Sequence, residues 1–154
     1  ATHTINAGQG DPIQQIKALT TNTSKRNFMG MPVSGADYAF DCIGLKQTME
    51  QIVPAVRDGT FGARTGGTAV LVGVPQTPVQ LNAVDMLINE KKFVGSIGGS
   101  CSPDRDFPKY LDWYANGQLD LDAMVTERFS LDQINEAAHA LETGKISGRA
   151  ILEF

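Results

Sequence analysis

The sequence predicts an α/β fold, an open sheet of parallel strands flanked by helices. Three observations carry this. Strand-like and helix-like segments alternate along the chain. The run AVLVGV at residues 69–74 is apolar at every position, as expected of a central parallel strand covered on both faces. The segments read as strands run into glycines at their ends, at Gly44, Gly73 and Gly98.

Taken in order, residues 2–7 (THTINA) are β-rich and short. Asp11 before Pro12 is a helix-starting pair, and Ile13, Ile16 and Leu19 then lie on one helical face. Residues 20–34 turn polar and read as a surface loop. Residues 37–44 (DYAFDCIG) read as a strand ending in glycine. Met49, Ile52, Val53 and Val56 follow with helical spacing, and Pro54 falls inside that pattern, where a kink is expected. A glycine-rich link leads to TGGTAVLVGVP. Val84, Leu87 and Ile88 mark a short helix, and residues 92–99 (KFVGSIGG) another strand. Ser102-Pro103-Asp104 opens a helix striped by Phe107, Tyr110, Leu111 and Tyr114 and stopped at Asn116-Gly117. Residues 119–129 read as a connector. Ser130 and Gln133 form a capping box before a helix bearing Leu131, Ile134, Ala138 and Leu141, with Gly144 beyond its end. Residues 149–154 (RAILEF) read as a last strand.

Composition narrows the function. A net charge of -4 and a pI near 5.1 argue against a nucleic-acid partner. The adjacent basic pairs, Lys25-Arg26 and Lys91-Lys92, read as solvated surface. No apolar run approaches the ~20 residues of a membrane span, and no basic-then-apolar leader is present. Cys42 and Cys101 suggest neither a disulfide framework nor a metal knuckle, so a cytoplasmic, reducing setting is expected. His3 and His139 form no local ligand pair with them, so no metal site and no catalytic residue is assigned. No G-x-G-x-x-G turn and no Walker loop occurs: Gly8-Gln9-Gly10 lacks its third glycine, and GARTGG is not followed by Lys-Ser or Lys-Thr. The strand-end glycines leave two readings open, close approach of a ligand to the backbone or plain turn punctuation.

The phrases GADYAFDCIG, GGTAVLVGVP, KKFVGSIGGS and LDAMVTERFSLDQINEAAHALETGKISGRAILEF, in that order, resemble the second half of zinc-dependent medium-chain alcohol dehydrogenases. The resemblance covers nearly the whole chain and is weak only over residues 20–34 and 58–65. It implies a partial Rossmann-like parallel sheet with flanking helices, lacking the first two strands. Residues 1–98 would form a partial NAD(P)-binding domain, and residues 99–154 a C-terminal segment that in the family packs on the catalytic domain. By position, Ile43, Gly44 and Leu45 match the adenine side of the cofactor site, and Val72, Gly73 and Val74 the strand end supporting the nicotinamide. Ser96 and Gly98 match positions offering backbone hydrogen bonds to its carboxamide, and Arg149 a family arginine at the pyrophosphate.

What the resemblance lacks is equally informative. The zinc ligands, proton relay, G-x-G-x-x-G turn and ribose-binding acid match nothing here. NAD or NADP therefore belongs to the intact family, with weak or absent binding expected of this chain, and zinc belongs only to the unmatched domain. The chain reads as a fragment of an alcohol dehydrogenase-like oxidoreductase, inactive alone. The alternative is a non-catalytic α/β module for nucleotide binding or oligomerisation. With the usual strand order 3-2-1-4-5-6, loss of strands 1 and 2 is expected to expose an apolar edge on residues 37–43. The expected remedies are pairing of THTINA with that strand or exchange of elements between two copies. A homodimer through the edge strand at residues 92–98 is the default expectation.

Overall fold

The computed structural model describes the whole chain, Ala1–Phe154, as two compact units, Ala1–Ser100 and Cys101–Phe154. In the first unit the order is α1 (Pro12–Thr20), β1 (Asn22–Arg26), β2 (Pro32–Val33), β3 (Tyr38–Asp41), α2 (Lys46–Ala55), β4 (Thr68–Leu71), α3 (Ala83–Ile88) and β5 (Lys92–Gly95). Its sheet is parallel, in the order β3-β4-β5, with Tyr38, Thr68 and Lys92 level at one end and Asp41, Leu71 and Gly95 at the other. The apolar run predicted to be central is central: Ala69 and Val70 are buried.

Helix α1 starts where Asp11 Oδ1 accepts the Ile13 N–H at 2.8 Å. Helix α2 delivers the core. Met49, Ile52, Val53 and Val56 are buried as their spacing predicts, and Ile52, Val53 and Val56 pack with Ala69 against Ala39, Leu81, Met86 and Phe93. Pro54 is the penultimate residue of α2, so the chain turns extended at Val56 and the helix simply ends there.

The second unit holds α4 (Pro103–Ala115), β6 (Val125–Ser130), α5 (Ile134–Glu142) and β7 (Arg149–Glu153), with β6 and β7 paired in parallel around α5. At the start of α4 the Asp106 carboxylate accepts the Ser102 N–H at 2.8 Å and also pairs with Arg105, whose hydrogen bond is the main cause holding the Asp106 pKa well below the usual carboxylate range. The predicted capping box is present: the Ser130 N–H donates to Gln133 Oε1 at 3.0 Å, ahead of α5. None of the helices is long and apolar enough to cross a membrane.

Four expectations are corrected. THTINA forms no strand and does not pair with β3; its β-rich side chains are almost all exposed, and β propensity needs a half-buried pleated surface to express it. Residues 20–34 are not a plain loop but the antiparallel pair β1-β2, in which Asn27 closes the turn through Oδ1 to the N–H groups of Met29 and Met31. The connector at residues 119–129 contains most of β6, which finds its partner only in β7. Lys91 is not solvated: its side chain is 0% exposed, and its ammonium lies 3.1 Å from Asp58 Oδ1 and 3.0 Å from Asp85 Oδ2. Lys92 beside it is exposed as expected.

Two measurements follow from these ion pairs. Lys91→Met leaves two facing carboxylates without a cation and should lower unfolding free energy in urea by about 3–5 kcal/mol. Asp37, ahead of β3, accepts from Arg57 Nε at 2.9 Å and Arg64 at 3.1 Å; the Arg57 hydrogen bond is the main cause holding its carboxyl below the usual range. A carboxyl depressed by folding stabilises above the unfolded midpoint, and that stability is lost as pH falls through the folded one. Carbon-detected NMR titration should therefore show the Asp37 midpoint rising toward the ordinary value in Arg57→Ala.

Candidate functional site

The level register of β3, β4 and β5 brings three departing segments to one edge: Cys42-Ile43-Gly44, Val72-Gly73-Val74 and Ser96-Ile97-Gly98. In open parallel sheets ligands gather beyond the carboxyl ends of strands. Of the residues singled out from sequence, Ile43, Gly44, Leu45, Val72, Gly73, Val74, Ser96 and Gly98 all leave the sheet on this edge.

Asp41 organises that edge. It is 2% exposed, its Oδ2 accepts the Gly44 N–H at 2.8 Å, and its carbonyl accepts the N–H groups of Val72 and Gly73, both at 2.9 Å. Its second carboxylate oxygen, Oδ1, is buried without a protein partner. One residue thus holds both the β3 and the β4 exits. Sequence reasoning missed it, although a signal was there: in Tyr38–Asp41 the inward side of a period-two strand carries Ala39 and then an acid.

The open question about the strand-end glycines receives a divided answer. Gly44 has φ +86°, and a Cβ there would collide with the Val74 carbonyl oxygen. A Cβ on Gly73 would lie 2.6 Å from the Ile43 carbonyl carbon and 2.7 Å from Asp41 Oδ2. These two glycines are required because the loops touch each other. Gly98 differs, since nothing lies within 4 Å of where its Cβ would stand. Its backbone is open to an approaching group.

Above the interlocked loops the edge presents apolar side chains to solvent, with Ile43 65% exposed, Val74 73% exposed, and Leu45 and Ile97 also exposed. Such a surface suits flat rings, with backbone groups beside it for polar recognition. The Ser96 N–H is already engaged by the Leu71 carbonyl at 2.8 Å, and its hydroxyl lies 2.9 Å from that of Ser100. The Ser96 N–H is thus spent within the sheet, while the space beside Gly98 is open.

Arg149 belongs to the second unit, where it is exposed at the first position of β7 and borders an apolar trough of about 320 Å³ between α5 and β7. Both cysteines are free thiols, and no group of three or more His, Cys, Asp or Glu side chains is placed to hold a metal ion. The residues of this chain therefore do not fit a zinc site.

The sequence pattern described as zinc-binding dehydrogenase matches residues 1–116. The chain belongs to that family. Among dehydrogenases similar to it, the class-3 alcohol dehydrogenase of Cereibacter sphaeroides is 29% identical over 99% of this chain and 38% of the relative. The crystal structure of benzyl alcohol dehydrogenase from Acinetobacter calcoaceticus superposes with a TM-score of 0.78 at 28% identity, over 100% of this chain and 37% of that one. A zinc-binding dehydrogenase from Sinorhizobium meliloti, whose structure holds NADP, gives a TM-score of 0.65 at 25% identity, over 98% and 36% of the two chains. This zinc-binding dehydrogenase chain thus spans little more than a third of the length of these relatives, and its sheet is the Rossmann-like sheet of the alcohol dehydrogenase structures.

Asp41→Ala should destabilise the first unit by about 1–3 kcal/mol in urea unfolding, because it strands the Gly44 N–H in a buried position. Gly44→Ala should cost more than Asp41→Ala in the same assay, since it meets both the positive φ and the Val74 carbonyl.

Proposed function

We propose that this chain supplies the nicotinamide side and part of the adenine side of an NAD(P) site in an alcohol/aldehyde oxidoreductase. The observation that carries this is the carboxyl edge of β3-β4-β5, where interlocked, rigid loops raise Ile43, Leu45 and Val74 into solvent beside the open Gly98 backbone. Ile43 and Leu45 serve the adenine side; Val72, Gly73 and Val74 support the nicotinamide ring. Gly98 addresses the carboxamide through its backbone.

A bound nicotinamide would supply the redox step between an alcohol and its carbonyl product. The chain's own residues orient the ring and exclude water from one face of it. Zinc, in this reading, is held by residues outside this chain, so the chain alone is catalytically silent. Residues 99–154 act as the segment packing on the zinc-bearing part. The edge of β5 is free on one side, and pairing of two copies across it belongs to the same proposal.

Amide NMR titration with NADH tests the site. Millimolar or weaker binding, with shifts concentrated on Ile43, Gly44, Val72, Gly73, Val74 and Gly98 and abolished by Val74→Asp, is expected. Shifts scattered over the surface, or turnover of a primary alcohol by this chain with NAD and zinc, would overturn the reading.

A further inference from the structure

The amino end of the sheet, opposite the candidate cofactor edge, collects positive charge in a chain whose net charge is -4. A polar hollow of about 290 Å³ lies there. It is bordered by Asn22 and Lys25 of β1, Asp37 ahead of β3, Arg57 after α2, and Thr60 and Arg64 of the following loop. A second hollow of about 200 Å³ shares Asp37, Arg57 and Arg64 and adds Lys92 at the first position of β5. Four cations thus border the two hollows, against a single carboxylate.

These cations differ in what they have left to donate. Arg57 is fully engaged: Nε donates to Asp37 at 2.9 Å, Nη1 to the Asp58 carbonyl at 3.0 Å and Nη2 to the Thr65 carbonyl at 2.7 Å. Its side chain is only 13% exposed, so it stands as a fixed positive wall. Arg64 engages Nη2 alone, 3.1 Å from the same Asp37 oxygen, and the rest of its guanidinium fork is free. Lys25 and Lys92 have no ion partner within the chain. One carboxylate is therefore shared by two guanidinium groups while two ammonium groups stay unmatched. A multivalent anion relieves the repulsion among such cations and accepts several charge-assisted hydrogen bonds at once. We infer that the larger hollow is a binding site for a phosphate group, with Lys25 and Arg64 donating to its oxygens and Arg57 supplying fixed charge behind them. Asn22 and Thr60 add neutral hydrogen-bonding side chains to the wall. The site lies at the edge of the sheet away from the nicotinamide reading and does not rest on it.

NMR titration of backbone amides and arginine side chains, with inorganic phosphate and with glucose 6-phosphate at constant ionic strength, tests it. Saturable shifts should centre on Lys25, Thr60 and Arg64, and chloride at the same ionic strength should not reproduce them. Lys25→Gln and Arg64→Gln should each weaken binding about tenfold. Both side chains are exposed, so the fold should persist by circular dichroism. Asp37→Asn should act in the opposite direction and tighten binding about threefold, because it removes the competing carboxylate and frees Arg64. A purely structural Asp37 gives no such gain. Tighter binding of inorganic phosphate supports a site for the free ion, and tighter binding of glucose 6-phosphate supports one for a phosphate ester. Shifts reproduced by chloride, shifts centred elsewhere, affinity unchanged in both glutamine variants, or no gain in a folded Asp37→Asn chain would overturn the proposal.

Discussion

The first unit depends on one buried ammonium. Lys91 Nζ sits between Asp58 and Asp85, and through Asp58 and Asn27 that link extends to the β1-β2 turn. Asn89, buried beside it, donates to the second Asp85 oxygen at 2.8 Å. A charge removed from water is tolerated only when such partners surround it, so these positions are mutually dependent. The arrangement sets where α3 ends and β5 begins. It thereby fixes the strand whose far end lies beside the candidate site.

A second constraint acts at the opposite edge of the sheet. Parallel strands share no tight turns, and their exits need other ties to stay together. Asp41 provides them, receiving N–H groups from both the β3 and β4 exits, while Gly44 and Gly73 let the two loops close to contact. Rigidity at the edge thus comes from the backbone and one buried acid. Chemical character comes from the side chains standing above them.

Much of this was legible in the sequence, for identifiable reasons. Met49, Ile52, Val53 and Val56 announced the core because burial on one helical face leaves a periodic trace. The all-apolar run announced the central strand because both its faces are covered. Strands β1 and β6 left little such trace, since every residue of β1 is exposed and only two of β6 are even half-buried; their pairing rests on partners elsewhere in the chain. Lys91 was misread because a buried lysine looks like a surface one until Asp58 and Asp85 are placed around it. The strand-end residues were found through order and resemblance, whereas the role of Asp41 required knowing which amides face it.

The contact between Gly44 and Gly73 has a consequence for how such a surface can diversify. Neither position tolerates a side chain, and each is intolerant because of the other loop's backbone. Ile43, Leu45 and Val74, each next to one of these glycines in sequence, are well exposed and carry no such restriction. Substitutions can therefore alter what the edge prefers to touch without altering where it touches. Lineages or libraries drawn from this scaffold can drift in selectivity while inheriting a fixed frame, and variation should pool at those three positions and vanish at the two glycines between them.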